Sequence, residues 1–391
     1  MSPLELVGLG WAAVATGFSA VALGRLLRER RGPKVDTSVP VLLLRPVDAP
    51  TPRELENLSR PVDYAGALEQ VVVSPYRPRL GPDVRWLPSD PPTPNRKVGH
   101  LLYALEVLPT QGRVVLAVDA DVAVTGALVE ALAAPVAAGA ALSTAAPTPV
   151  GVRGVVGWAV AGLLRHSHHS FRALHAMSAG AKAVCGKALG LSPVAAEELR
   201  QLSDHIGEDL ELAKRLHARG CEVALAQEPA LVPMEPMRSW RPAVERFTRW
   251  MQVLASHRPG LYPTVPLLFT PTLPLAVLAA VLGSGPLALA TGALVLVRTL
   301  LSWRLAVLTK SSLPPTLDAM GGPPFAERVG GGGGTSFMFL FSWLLGEALL
   351  LVAFLRSTWQ AGTVTWRGRT YALQRGGRMQ PVWPELSGGP G

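Results

Sequence analysis

Val114-Val-Leu-Ala-Val-Asp-Ala-Asp121 is a run of five apolar residues that stops on two carboxylates. Too short for a helix and bounded by polar residues, it reads as a strand buried on both faces. Val39-Pro-Val-Leu-Leu-Leu44 and Gln70-Val-Val-Val73 have the same character, and the helix-like stretches Val98 to Leu108 and Gly126 to Ala137 alternate with them. Strands alternating with helices make a Rossmann-like α/β domain with a mostly parallel sheet covered on both sides. Such a sheet presents its site beyond the carboxyl ends of its strands, which is where Asp119 and Asp121 stand.

Around this domain the chain is membrane-like. It has 391 residues, a mean hydropathy of +0.28 and 17% charged residues, too apolar for an ordinary soluble enzyme. Leu4 to Leu27 is a nearly unbroken apolar run followed by Arg25, Arg28, Arg30, Arg31 and Lys34. Charges that follow the run mark a signal-anchor with its basic flank inside, not a cleaved leader. Residues 1–34 are therefore read as an anchor and 35–236 as a cytoplasmic domain of normal size. Residues 237–260 read as an amphipathic interfacial helix, and 261–308 as two spans broken at Gly283-Ser284-Gly285-Pro286. A Gly/Pro-rich loop (309–335), a third apolar segment (336–356) and a basic tail (357–391) complete the chain. Glu347 in the third segment favours an interfacial or re-entrant element over a span, because a charge at bilayer depth is costly. The net charge of +9 flanks apolar runs and suits an anionic bilayer; no nucleic-acid signature accompanies it. An integral protein of a bacterial inner membrane, with its domain in the cytoplasm, is expected.

Three clusters carry chemistry. Asp119 and Asp121 can hold a hard divalent cation, Mg²⁺ or Mn²⁺, against a diphosphate, although an acidic turn capping a helix gives the same pair. Glu208 and Asp209 open the helical run Leu210 to Ala218. Helix capping accounts for them, and so does a general base presented to a hydroxyl. Arg246-Phe-Thr-Arg249-Trp250 precedes the membrane block, where an interfacial helix would place Arg at headgroups and Trp at the interface.

In this order the clusters resemble the DxD, ED and (Q/R)xxRW motifs of the ceramide glucosyltransferase-like membrane glycosyltransferases, inverting enzymes related to bacterial hopanoid-pathway transferases. Leu44-Arg-Pro-Val-Asp48, Asn95-Arg-Lys-Val98, Glu208-Asp-Leu-Glu-Leu-Ala213 and Trp366-Arg-Gly-Arg-Thr-Tyr371 extend the resemblance over most of the chain. It implies an A-type glycosyltransferase fold and transfer of a hexose, glucose in the family's case, from a nucleotide sugar such as UDP-glucose to a lipid hydroxyl such as that of ceramide. By the same resemblance Asp121, with Asp119, would hold the metal, Asp209 with Glu208 would supply the base, and Asn95, Lys97, Asp119, Arg246, Arg249 and Trp250 would bind the donor diphosphate. Guanidinium suits that task because it grips phosphate oxygens in pairs and stays charged.

One position departs from the pattern. The family has an acid after the second strand; here Ser74-Pro75-Tyr76 follows it, with Asp48, Asp83 and Asp90 as substitutes for the nucleoside contact. Two other function classes stay open: a polysaccharide synthase, which shares the DxD and RxxRW chemistry, and a non-catalytic relative. His166-Ser-His168-His169 lacks the spacing that puts three ligands on one helix face, and Cys185 and Cys221 lack metal spacing, so no zinc is assigned.

Overall fold

The computed structural model describes residues 1–28, 38–167, 169–177, 180, 182–312, 333–360, 362–366 and 369–382. Arg30, Arg31, Lys34, His168, residues 313–332 of the Gly/Pro-rich loop, Arg367 and the end of the basic tail lie outside the described residues.

Helix α1 (Pro3–Arg28) leads into β1 (Val41–Pro46), α2 (Pro52–Ser59), β2 (Leu68–Ser74), β3 (Val84–Pro88), α3 (Arg96–Val107), β4 (Val114–Val118), α4 (Gly126–Ala137), β5 (Leu142–Thr144) and β6 (Pro147–Val150). After α5 (Gly154–His166), a π-helical turn (Ser170–Leu174) and the single turn α6 (His175–Met177) come β7 (Ala188–Leu191), α7 (Pro193–Leu199), α8 (Glu208–Ala218), β8 (Val223–Leu225) and β9 (Ala230–Pro233). The expected strands are the middle of a seven-stranded sheet in the order β3-β2-β1-β4-β7-β5-β8. β7 runs antiparallel to both of its neighbours, while the other pairs are parallel. β6 and β9 form a separate parallel pair.

Period-two alternation sends Leu42, Leu44, Val71 and Val73 to one core, with Leu101, Leu199 and Leu212 from α3, α7 and α8. Val41, Leu43, Leu116 and Val118 face the other core, against Leu128 and Leu132 of α4. Burial on both faces is what the continuous apolar runs require. It also fixes the strand ends, since a one-residue slip would turn each core set outward.

The membrane-like half begins with α9 (Trp240–His257), followed by α10 (Thr264–Leu268), α11 (Thr272–Leu282), α12 (Gly285–Ser312) and α13 (Gly333–Trp359). Three helices are long and apolar enough to cross a membrane: Pro3–Arg28, Gly285–Leu308 and Leu340–Trp359. The first half of block 261–308 differs from expectation. It is broken at Phe269–Pro271 as well as at Gly283, and α11, at about 16 Å, is too short to cross a hydrocarbon core of about 30 Å. α12 lies along α1, with Leu287 packed on Gly8 and Leu301 and Leu305 among Phe18, Ala22 and Leu26. Ser284 Oγ hydrogen-bonds Glu5 near the start of α1.

The break leaves backbone groups that apolar surroundings cannot satisfy. Buried Arg298 donates to the carbonyls of Leu268 (2.7 Å) and Phe269 (3.3 Å), and His166 Nε2 lies 2.9 Å from the Phe269 carbonyl. Glu347 accepts from the Thr272 N–H (3.2 Å) and Oγ1 (3.0 Å) at the start of α11 and pairs with Arg298. A cation thus meets the end of α10 and an anion the start of α11, as their dipoles favour. Glu347, whose charge spoke against a span in 336–356, is paired with Arg298, and Leu340–Trp359 is long and apolar enough to cross a membrane.

The expected basic tail folds: β10 (Thr363–Trp366), β11 (Arg369–Leu373), a 3₁₀ turn (Arg375–Gly377) and β12 (Met379–Pro381) make an antiparallel sheet packed on the loop before α8.

Candidate active site

Arg45, fully buried in β1, builds the acidic turn after β4. Its guanidinium donates to the carbonyls of Val118 (3.1 Å), Asp119 (3.0 Å) and Val122 (2.7 Å), so the backbone between them is held at three points. The Asp119 N–H donates to Lys187 O (2.8 Å), because antiparallel β7 pairs Val118 with Ala188 and brings the preceding lysine alongside. Asp119 and Asp121 side chains keep 27% and 32% of their surface, open enough to meet a ligand.

Lys97, in the first turn of α3, joins the two acidic motifs. Its Nζ lies 2.9 Å from Asp119 Oδ1 and 3.1 Å from Glu208 Oε1, and donates to Gly186 O at 2.6 Å. Burial alone would lower its pKa, but Asp119 and Glu208 outweigh that and hold it charged. Asn95 caps α3 by accepting from Val98 N–H (3.2 Å) and donates to His205 O (2.8 Å) and Glu208 Oε2 (3.0 Å). One short segment thereby fastens the start of α3 to the loop entering α8, whose first turn carries Glu208 and Asp209.

Those two acids have opposite electrostatics. Burial would raise Glu208, yet Lys97 and Asn95 keep it below the ordinary carboxylate range. Asp209 is pushed up to about 6, by burial first and by the adjacent Glu208 charge second. It accepts from the Gly186 N–H (2.6 Å) and its own neighbour's, Leu210 (2.9 Å). The two environments split the pair: Glu208 is held as the anion, while Asp209 takes up a proton more readily than an ordinary carboxylate. Gly207 makes the approach possible, with φ of 70° and a position where a Cβ would meet Val253 at 2.5 Å.

Phe247 is fully buried and anchors α9, with Trp250 edge-on to it at 5.1 Å. Arg246 lies over the Trp250 ring (5.6 Å) and close enough to Asp121 to lower its pKa, although Lys187 does most of that against the opposing effect of burial. Arg249 is half-buried one turn on, beside Arg246. The structure therefore joins Asn95, Lys97, Asp119, Asp121, Glu208 and Asp209 in one network bordered by Arg246, with Trp250 against Arg246; Arg249 stands near Arg246 without bonding to that network among the described residues.

Ser74 is buried, bonded to the Tyr76 carbonyl (2.8 Å) and to Trp86 Nε1 (3.1 Å). Of the substitutes considered for its missing acid, Asp48 is held by Arg96 (2.7 Å) and His100 (2.9 Å), and Asp90 by Arg96 (2.6 Å). The rings of His166 and His169 lie 4.3 Å apart, tilted by 41°, and His169 lies 3.1 Å from Ser19, which binds them into the helical half.

Among the described residues no cluster of three or more His, Cys, Asp or Glu side chains is arranged for a metal. Asp119 and Asp121 offer two carboxylates, however, and Asp121 Oδ1 is buried with no hydrogen-bond partner there. An acceptor left that way is costly unless a cation or donor meets it, so the pair fits a divalent ion whose other ligands come from a diphosphate.

Lys187 and Gly186 escaped sequence reading, because they lie in Cys185-Gly-Lys187, a loop with no motif; Arg45 stands in the segment Leu44-Arg-Pro-Val-Asp48 already noted, but nothing local assigned it a role.

The family model described as glycosyl transferase family 21 matches residues 86–379, well over half of the chain. A search of curated proteins found no match. Among solved structures, a mannosyltransferase from Pyrobaculum calidifontis, in complex with GDP-Man and Mn²⁺, is 14% identical. That match covers 91% of this chain and 99% of the other, with a TM-score of 0.43.

Proposed function

Because the chain belongs to glycosyl transferase family 21, we propose that it moves one hexose, glucose from UDP-glucose, to the hydroxyl of a membrane lipid such as ceramide, with inversion at the anomeric carbon. The observation that carries this reading is the split pair Glu208–Asp209, fastened through Lys97 to Asp119 and lying beside cationic Arg246.

Asp209 accepts the proton of the acceptor hydroxyl as its oxygen bonds to the anomeric carbon. The bond from that carbon to the diphosphate oxygen breaks, and its electron pair leaves with the diphosphate. Glu208, anionic and bound to Lys97 and Asn95, holds the loop and keeps Asp209 basic. Arg246 and Arg249, backed by Trp250, take the diphosphate charge, and Lys97 adds a nearby fixed positive charge. Asp119 and Asp121 would hold Mg²⁺ or Mn²⁺, which when bound neutralises charge on the leaving diphosphate. Apolar helices beside α9 supply a lipid-facing side, and the basic residues Arg25 and Arg28 in the last turn of α1 support a cytoplasmic catalytic domain in a bacterial inner membrane.

The test is mass spectrometry of lipids made by membranes containing this chain, UDP-glucose and ceramide. Ceramide carrying one hexose is expected, with transfer lost in excess chelator. A many-sugar polymer would replace this reading with a polysaccharide synthase. Failure to modify any lipid would sink it, and undiminished transfer in chelator would remove the metal.

A further inference from the structure

The two lysines at the acidic turn are held differently. Lys97 has three acceptors within 3.1 Å: Asp119, Glu208 and the Gly186 carbonyl. An ammonium has three N–H groups, so Lys97 is satisfied and fixed. Lys187 makes a close ion pair with Asp121 and stands 4.0 Å from Asp119 Oδ2, beyond hydrogen-bond length. Its side chain keeps 10% of its surface, while its backbone carbonyl is bound by the Asp119 N–H. It is therefore tethered at the turn through its backbone and attached to the acids through a single carboxylate. The other oxygen of that carboxylate is the buried acceptor with no partner among the described residues.

We propose that Lys187 is a resident cation at the acidic turn: it holds Asp121 until a divalent ion arrives with the donor diphosphate, then yields the carboxylate and turns to the diphosphate. This rests on the reading of Asp119 and Asp121 as cation ligands. An ammonium and a divalent ion compete for the same carboxylate, because both draw their binding from its charge. Once displaced, the ammonium remains on a tethered four-carbon stem beside a newly arrived polyanion, and phosphate oxygens are its best alternative acceptors. The exchange leaves no stage at which the turn's carboxylates face each other without a counter-charge.

The test uses the purified full chain in detergent, with free Mn²⁺ followed by electron paramagnetic resonance and UDP binding by calorimetry. Lys187→Met keeps the stem and removes the charge; Lys187→Gln is a second form should the first fold poorly. Without UDP, each variant should bind Mn²⁺ roughly five- to tenfold more tightly than the parent, the equivalent of one lost ion pair. With saturating Mn²⁺, each should bind UDP more weakly. Mn²⁺ affinity equal to or below the parent's overturns the proposal, and so does unchanged UDP affinity. If the parent and Asp121→Asn bind Mn²⁺ alike, or no form binds it even with UDP, the cation assignment itself fails and takes the proposal with it.

Discussion

In the proposed reaction the acceptor hydroxyl gives up its proton only far above neutrality and needs a base, for which Asp209 is the proposed residue. Burial and Glu208 together push its pKa up to about 6. Asp209→Asn keeps the side-chain size and removes the base. It should lower transfer by ~10²–10⁴-fold with donor binding retained. Transfer near the parent rate would reduce Asp209 to a helix cap. A base works when ionised, so activity should fall as pH drops through about 6. Glu208→Gln removes the second cause of the shift, and its acidic limb should move to lower pH. A pH–rate profile of kcat/KM for both forms checks this, and an unmoved limb would dissociate the pair.

Among elements, the C-terminal sheet and its 3₁₀ turn grip the loop that leads to the base. The Ile206 N–H donates to Gly377 O (2.8 Å), the Met379 N–H to Asp204 O (2.8 Å), and Arg378 pairs with Asp204 at 2.7 Å. His257 of α9 bonds Ile206 O at 2.7 Å, so α9 and the sheet close on the loop just before Glu208 and Asp209 in α8. Gly377 sits at φ 80°, where an added Cβ would lie 2.1 Å from His257 Nε2 and 2.4 Å from Ile206 O. Gly377→Ala should therefore shift the loop. A misplacement of about 1 Å costs on the order of 10²-fold in rate, so kcat should fall steeply with little change in donor KM. Hydrogen exchange should show residues 203–211 loosened. Parent-like kcat in a folded variant would separate the sheet from catalysis.

For the molecule as a whole, the costly feature is a broken helix among membrane-length ones. Arg298 and Glu347, 49 positions apart, satisfy its free backbone ends and each other's charge. Glu347→Gln leaves Arg298 buried without its counter-charge and should destabilise the fold by ~3–5 kcal/mol, whereas joint replacement of both by apolar residues should cost less. Thermal unfolding of the detergent-solubilised chain measures this. A double variant no better than the single one would show that capping the break, not neutralising the charge, is what the pair does.

The strands, the acids at their ends and the amphipathic approach to the membrane were legible in the sequence, because each is written locally. An apolar run of five, a pair of acids at i and i+2, and an Arg-rich turn before an apolar block need no distant partner to be recognised. The family resemblance, not any local pattern, located Asn95 and Lys97, and it did not show what they touch. Lys187 reaches Asp121 only because β7 enters the sheet antiparallel, and nothing in Cys185-Gly-Lys187 foretells that register. Arg45 is useful only where a second strand ends beside it, and the basic tail becomes a sheet only against the loop of α8. The break at Phe269–Pro271 is tolerable only because α5, α12 and α13 bring their polar side chains to it. Local periodicity and residue chemistry determined the elements and their chemical candidates. Pairings between distant residues, which leave no period in the chain, were decided by tertiary packing alone.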